Sequence, residues 1–128
     1  MPNGAMVEGQ SAEKRAKHKS WRAAVADAAR AAVESHGLVE PMDGALHLDV
    51  TFRFQVTKGR LRQCQQAGSL PKVSAPDLDK LLRALGDALK DGGLVRDDAR
   101  FASIAATKVE VDGWQGAVVS VERWGLWP

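Results

Sequence analysis

The chain has one cysteine, no tyrosine and no apolar run near the roughly 20 residues of a membrane span. Each absence excludes something. A lone Cys64 forms no internal disulfide, which makes a reducing cytoplasm the expected compartment. It lies in a glutamine-rich polar stretch with no base nearby in sequence to activate it. The N-terminus lacks a basic segment followed by an apolar one, so no signal peptide is expected. At 5% aromatic residues, the core must rest on Leu, Val and Ala. A net charge of only +2 does not by itself announce a nucleic-acid binder.

What is present fits one globular domain spanning residues 1–128, near the usual domain length of roughly 100–150 residues. Residues 1–10, with Pro2, Gly4 and Gly9, read as a flexible tail. A helix is predicted over Ser11–Ser35, where Trp21, Val25, Ala28 and Ala32 form an apolar stripe ended by His36-Gly37. Pro41 to Gly44 reads as a turn. From Leu46 to Val56, apolar residues alternate with polar ones, predicting a strand with one buried face and His47 on the polar face. Lys58–Ala75 shows no period and reads as a long connection. Leu78, Leu81, Leu82, Leu85, Ala88 and Leu89 predict an amphipathic helix over Asp77–Lys90, beginning just after Pro76.

Two strands follow, Ala99–Val111 and Ala117–Arg123, joined by a hairpin at Asp112-Gly113. The first should place Phe101, Ala105, Val109 and Val111 on one side. The fold class is therefore α+β, a small mixed sheet covered by two main helices in the order helix-strand-helix-strand-strand.

Charge is unevenly distributed. Between Thr51 and Pro76 there is no acid, yet Arg53, Lys58, Arg60, Arg62 and Lys72 all fall there. A second basic run comprises Lys14, Arg15, Lys17, Lys19 and Arg22. Acids gather at Asp77, Asp79, Asp87, Asp91, Asp97 and Asp98. Basic flanks around an acidic cluster suit a protein that grips a polyanion while holding a cation.

Carboxylates at i and i+2 stand about 200° apart inside a helix, but they share a side where the chain is only entering one. Pro76 sets Asp77 and Asp79 at such an entry. Carboxylates without Cys or a His pair select Mg²⁺, or Mn²⁺ in its place, over zinc. Such an ion serves phosphodiester hydrolysis, with Arg83, four residues after Asp79, placed to offset charge on a phosphate. Each acid also has a plainer reading. Asp77 suits an N-cap, Asp79 a dipole-facing acid paired with Arg83, and Asp97-Asp98 a polar turn. Asp97 and Asp98 join the first pair only if Gly92-Gly93-Leu94-Val95 turns the chain back along the helix.

The block from Pro76-Asp77-Leu78-Asp79-Lys80-Leu81 to Gly86-Asp87-Ala88-Leu89, followed by Val95-Arg96-Asp97-Asp98-Ala99-Arg100, resembles the RusA family of Holliday junction resolvases. Lys19-Ser20-Trp21-Arg22-Ala23-Ala24-Val25 is similar to a helix of that family. The resemblance implies that Asp77, Asp79 and Asp98 are catalytic and bind Mg²⁺, with Arg83 where many members carry a catalytic Lys. It also implies a homodimer that makes paired cuts in a four-way DNA junction, with no organic cofactor and no membrane. Lys58, Arg60, Arg62, Lys72 and Lys80 become the candidate DNA-binding residues. Two substitutions depart from the family pattern, Lys80 for Asn and Arg83 for Lys. The family's opening strand is expected to be missing, either because the start is truncated or because the sheet makes do with three strands. The alternative function is a structure-selective DNA-binding protein that does not cut. A small-molecule phosphohydrolase is a third possibility, but it leaves the basic loop without a role.

Overall fold

The computed structural model describes residues 4–10 and 18–125. Its elements are β1 (Gly4–Gln10), α1 (His18–Ser35), β2 (Leu46–Gln55), α2 (Leu61–Ala67), β3 (Leu70–Pro71), α3 (Leu78–Asp91), β4 (Phe101–Val111) and β5 (Gly116–Arg123), with 3-10 turns at Lys58–Arg60 and Asp98–Arg100. The strands form one five-stranded sheet in the order β1-β5-β2-β4-β3. It is mixed: β2 runs parallel to β4, while β1–β5, β2–β5 and β3–β4 are antiparallel. This is the expected α+β fold.

The alternation read along β2 becomes its burial. Leu46, Leu48, Val50 and Phe52 are buried, and Asp49 and Gln55 on the opposite face are exposed. Val25, Ala29 and Ala32 of α1 and Leu85, Ala88 and Leu89 of α3 close over that face, joined by Ala117, Val119 and Val121 of β5. Fully burying each larger side chain contributes about 1.5–3 kcal/mol. Trp21 lies at the edge of this core, its ring centroid 6.2 Å from that of Phe52. Helix α1 stops where His36-Gly37 predicted: Gly37 takes φ 65°, Gly37 N–H donates to Glu34 O and Leu38 N–H to Val33 O. That pair of bonds satisfies carbonyls the helix end would otherwise leave open.

Four expectations are corrected. The tail assigned to residues 1–10 contains β1, which pairs with β5 from Gly4↔Glu122 to Gln10↔Gly116. The sheet thus has an opening strand, which was expected to be missing, and the order begins with a strand. Residues 4–10 lack a period-two apolar pattern, so only pairing with a distant partner makes them a strand.

The connection over Lys58–Ala75 is not structureless. Helix α2 and β3 form there, around a second small core of Val56, Cys64 and Leu70 with Leu61 packed against it. Cys64, within the glutamine-rich stretch, is buried, and its Sγ lies 3.5 Å from Glu110 O. Finally, Phe101 does not share one side of β4 with Ala105 and Val109. The register with β2 jumps from Leu46↔Phe101 to His47↔Ser103, passing over Ala102. A bulge of one residue reverses the alternation beyond it. Phe101 and Ala106 therefore pack on the core, while Ala105 is exposed beside Asp49. Lys14, Arg15 and Lys17, with the first part of the helix expected from Ser11, lie outside the described residues.

Candidate active site

Helix α3 positions the first acids. Asp77 occupies its N-cap with extended backbone (φ −68°, ψ 141°), and Asp79 lies in the first turn. The Asp77 carboxylate makes no capping hydrogen bond to the helix. Its one ion pair among the described residues is a long 3.9 Å contact with Lys80, in which both side chains are largely exposed. Such a pair is worth little. Asp79 is exposed and has no ion pair or side-chain hydrogen bond among the described residues, and its partner on the same helix face, Arg83, has none either. The plainer readings, a capping Asp77 and an Asp79–Arg83 surface pair, therefore do not describe the arrangement.

The return of the chain places the other acids. Gly92 and Gly93 end α3, and Leu94 and Val95 are buried. Met42 N–H donates to Leu94 O at 2.8 Å, and Arg96 N–H to Met42 O at 2.9 Å. This short parallel contact with the Pro41–Gly44 turn directs Asp97 and Asp98 back along the helix. Asp98 comes to rest over Gly86: a Cβ on that glycine would lie 3.1 Å from Asp98 Cβ and 3.6 Å from its Oδ2. A side chain at position 86 would be in tight contact, and Asp98 would have to give by a few tenths of an ångström.

Residues 79, 83, 86 and 90 recur at four-, three- and four-residue steps and so share one face of α3. Asp79, Arg83 and the Asp98 carboxyl above Gly86 thus form one stripe ending at Lys90. Gly86 stands seven residues beyond Asp79, about 10 Å along the helix axis. Among the described residues, no three His, Cys, Asp or Glu side chains converge into a metal cage. The donor set is nonetheless all carboxylate, and Mg²⁺ takes only one or two protein carboxylates, filling the rest of its shell with water and substrate phosphate. The chemistry of the residues fits that ion.

Asp97 and Asp98 act as a pair. The hydrogen bond from Asp98 to Asp97 holds the Asp98 carboxyl above its usual value, reinforced by desolvation and by the negative charges of Asp97 and Asp87. The same bond, with a second from the Ala99 N–H, holds Asp97 below.

The basic candidates divide. Lys58 and Arg62 are exposed, without ion pairs among the described residues. Arg60 turns inward, with Nη2 3.2 Å from Oε1 of the buried Glu110, an ion pair off-line for a hydrogen bond. Lys72 Nζ donates to Ser74 Oγ at 2.9 Å and lies 4.9 Å from the Phe54 ring centroid. Arg53, on the far face, stacks 4.1 Å over the Trp114 ring.

Two residues near the acids were not singled out from sequence. Lys108 Nζ donates to Ser74 O at 2.8 Å and to Pro76 O at 2.9 Å, holding the segment that delivers Asp77. It reaches them because the bulge in β4 turns residue 108 to the helical face. Asp43 receives Arg100 Nε at 2.6 Å and Arg96 Nε at 3.6 Å. The Gly44 N–H, followed by the Arg100 hydrogen bond, holds its carboxyl below the ordinary range. A Pro-x-Asp-Gly turn signals local structure only, and nothing in it pointed to arginines more than fifty residues away.

A mixed sheet with both long helices on one face, and with carboxylates gathered where α3 begins and where the chain returns along it, defines a class of small acidic-site α+β proteins. The family model described as Endodeoxyribonuclease RusA matches residues 3–122, and the chain belongs to that family of endodeoxyribonucleases. Among curated proteins, no match is found. No helix among the described residues is long and apolar enough to cross a membrane.

Proposed function

We propose that this chain is a Mg²⁺-dependent endonuclease that resolves four-way DNA junctions as a homodimer, within DNA recombination and repair. The observation that carries the reading is that Asp77 stands at a helix N-cap without capping it, beside an Asp79 that has no ion pair among the described residues. Carboxylates with at most one long, exposed ion pair between them among the described residues, at a helix entry, suit a hard cation and a phosphate.

Asp77, Asp79 and Asp98 would be the ion's protein ligands, one or two at a time, with water and the substrate phosphate completing its shell; Mn²⁺ could take its place. When bound, it polarises the scissile phosphate and lowers the pKa of an attacking water. Arg83, between Asp79 and Asp98 on the stripe, offsets the charge that develops on the phosphate oxygens. As an arginine it serves as a phosphate clamp and not as a general acid. Lys58, Arg62, Lys72 and Lys80 contact the DNA backbone and position the junction without reading its sequence. Arg60, held by Glu110, contributes less. Paired incision of opposed strands calls for two sites related by a two-fold axis, which a homodimer supplies. The alternative of a binder that does not cut was motivated by a missing opening strand, and β1 removes that ground.

The test is incision of a labelled four-way junction with and without Mg²⁺, alongside Asp79→Asn. Symmetric paired nicks that require Mg²⁺ and fall at least about a hundredfold in the variant are expected. Binding without incision, indifferent to metal and to the substitution, would sink the nuclease reading for this chain.

A further inference from the structure

The turn that carries Asp97 and Asp98 reads Arg96-Asp97-Asp98-Ala99-Arg100, with an arginine at each end. In an isolated peptide, those guanidinium groups would pair with the neighbouring carboxylates, since charge-assisted bonds to Arg are the strongest on offer. A carboxylate so occupied is a poor ligand for a cation. In the folded chain both arginines point elsewhere. Arg100 Nε lies 2.6 Å from Asp43 Oδ1, Arg96 Nε 3.6 Å from Asp43 Oδ2, and Arg96 Nη2 3.5 Å from Glu40 Oε1. Neither pairs with Asp97 or Asp98 among the described residues.

We propose that Asp43 is a positioning residue for this site: by gripping Arg96 and Arg100 together, it keeps both cations off the Asp97–Asp98 pair and leaves that pair available to a divalent ion. The proposal rests on the reading that Asp98 holds the metal. The geometry is built for the task. Gly44 N–H donates to Asp43 Oδ1 at 2.8 Å, which orients the carboxylate. The bonds between Met42 and the Leu94–Arg96 segment, with Met42 buried, hold the Asp43 turn beside the acid turn. One carboxylate with two oxygens thus receives one arginine on each. Glu40 offers Arg96 another carboxylate in an exposed ion pair, 3.5 Å from its Nη2.

The mechanism predicts a signature that a merely structural role would not give. If Asp43 acts by diverting the arginines, then removing them makes Asp43 dispensable. Mn²⁺ binding to the purified protein, followed by the electron paramagnetic resonance of the unbound ion, measures this without reference to cleavage. Asp43→Asn should weaken Mn²⁺ binding about tenfold, the lower end of what loss of an outer partner costs a metal site. Adding Arg96→Gln and Arg100→Gln to that variant should restore binding to near the wild-type value. The same two substitutions with Asp43 intact should leave it unchanged, and this arm does not depend on how well the Asp43 variant folds.

Unchanged binding in Asp43→Asn overturns the proposal, as does a triple variant as weak as Asp43→Asn alone. So does a marked change in the double arginine variant. Asp98→Asn separates the proposal from the reading beneath it. If Asp98→Asn loses Mn²⁺ while Asp43→Asn does not, the arginine clamp alone is wrong. If Asp98→Asn binds as the wild type does, Asp98 is not a ligand and the clamp falls with that assignment.

Discussion

Asp98 rests against Gly86, and the absence of one methyl group decides where that carboxylate stands. Glycine inside a helix costs up to about 1 kcal/mol relative to alanine. A buried glycine in the middle of α3 therefore asks for a reason, and the 3.1 Å between its would-be Cβ and Asp98 Cβ supplies one. Gly86→Ala should separate stability from activity. The exposed 3-10 turn can shift by a few tenths of an ångström, so the melting temperature should hold or rise. The displaced carboxyl should lower Mg²⁺-dependent incision about tenfold or more, as misplacement within a catalytic arrangement does. Thermal melting and incision rates on the same preparations test this. Equal rates would show that the seat of Asp98 on Gly86 is immaterial. In sequence, Gly86 was visible only as part of a motif, because its neighbour in space is twelve residues further along the chain.

At the scale of elements, the entry to α3 is set by more than the helix itself. The apolar stripe Leu78–Leu89 made the helix legible, and the structure places it at Leu78–Asp91, within a residue of expectation at each end. What holds its first residue was not legible. Lys108 bonds the carbonyls of Ser74 and Pro76 from β4, more than thirty residues away. Lys108→Met keeps the aliphatic stem and removes both bonds, at a cost of about 1–2 kcal/mol. The change should appear as faster hydrogen exchange at the first amides of α3 together with slower incision. Exchange rates equal to those of the wild type would deny Lys108 any hold on this segment. Helix α2 was missed for a different reason. It has seven residues, and with only Leu61 and Cys64 facing inward its pattern is too short to show a period.

For the whole molecule, the decisive feature is β1. It covers β5 along seven paired positions and completes the sheet on that side. Without it, β5 would present a row of open N–H and C=O groups, which invites pairing with other chains. Deletion of residues 1–10 should therefore lower the melting temperature and cause concentration-dependent association. Light scattering and thermal melting of the shortened chain would show it, and a stable, monodisperse product would mean that β1 adds nothing to the sheet. The other edge is handled differently, since β3 is only two residues long and α2 packs beside it.

The amino-acid sequence by itself determined those features that depend on neighbours within a few residues. The alternation of β2, the stripe of α3, the glycine stop of α1 and the carboxylate-only chemistry of the acids are all of this kind. The motif that marks the family is local too, being two short blocks at a set interval. Tertiary structure alone decided which partner each ambiguous segment or charge would choose. It made a strand of residues 4–10, inverted the faces of β4 through one bulged residue, and brought Asp98 back over α3. It also sent Arg100 to Asp43, 57 residues away, rather than to the acids beside it. The physical reason is the same in each case. Hydrogen-bond ladders and ion pairs are satisfied through space, and many positions along the chain offer equivalent donors and acceptors. Only the packed fold selects among them.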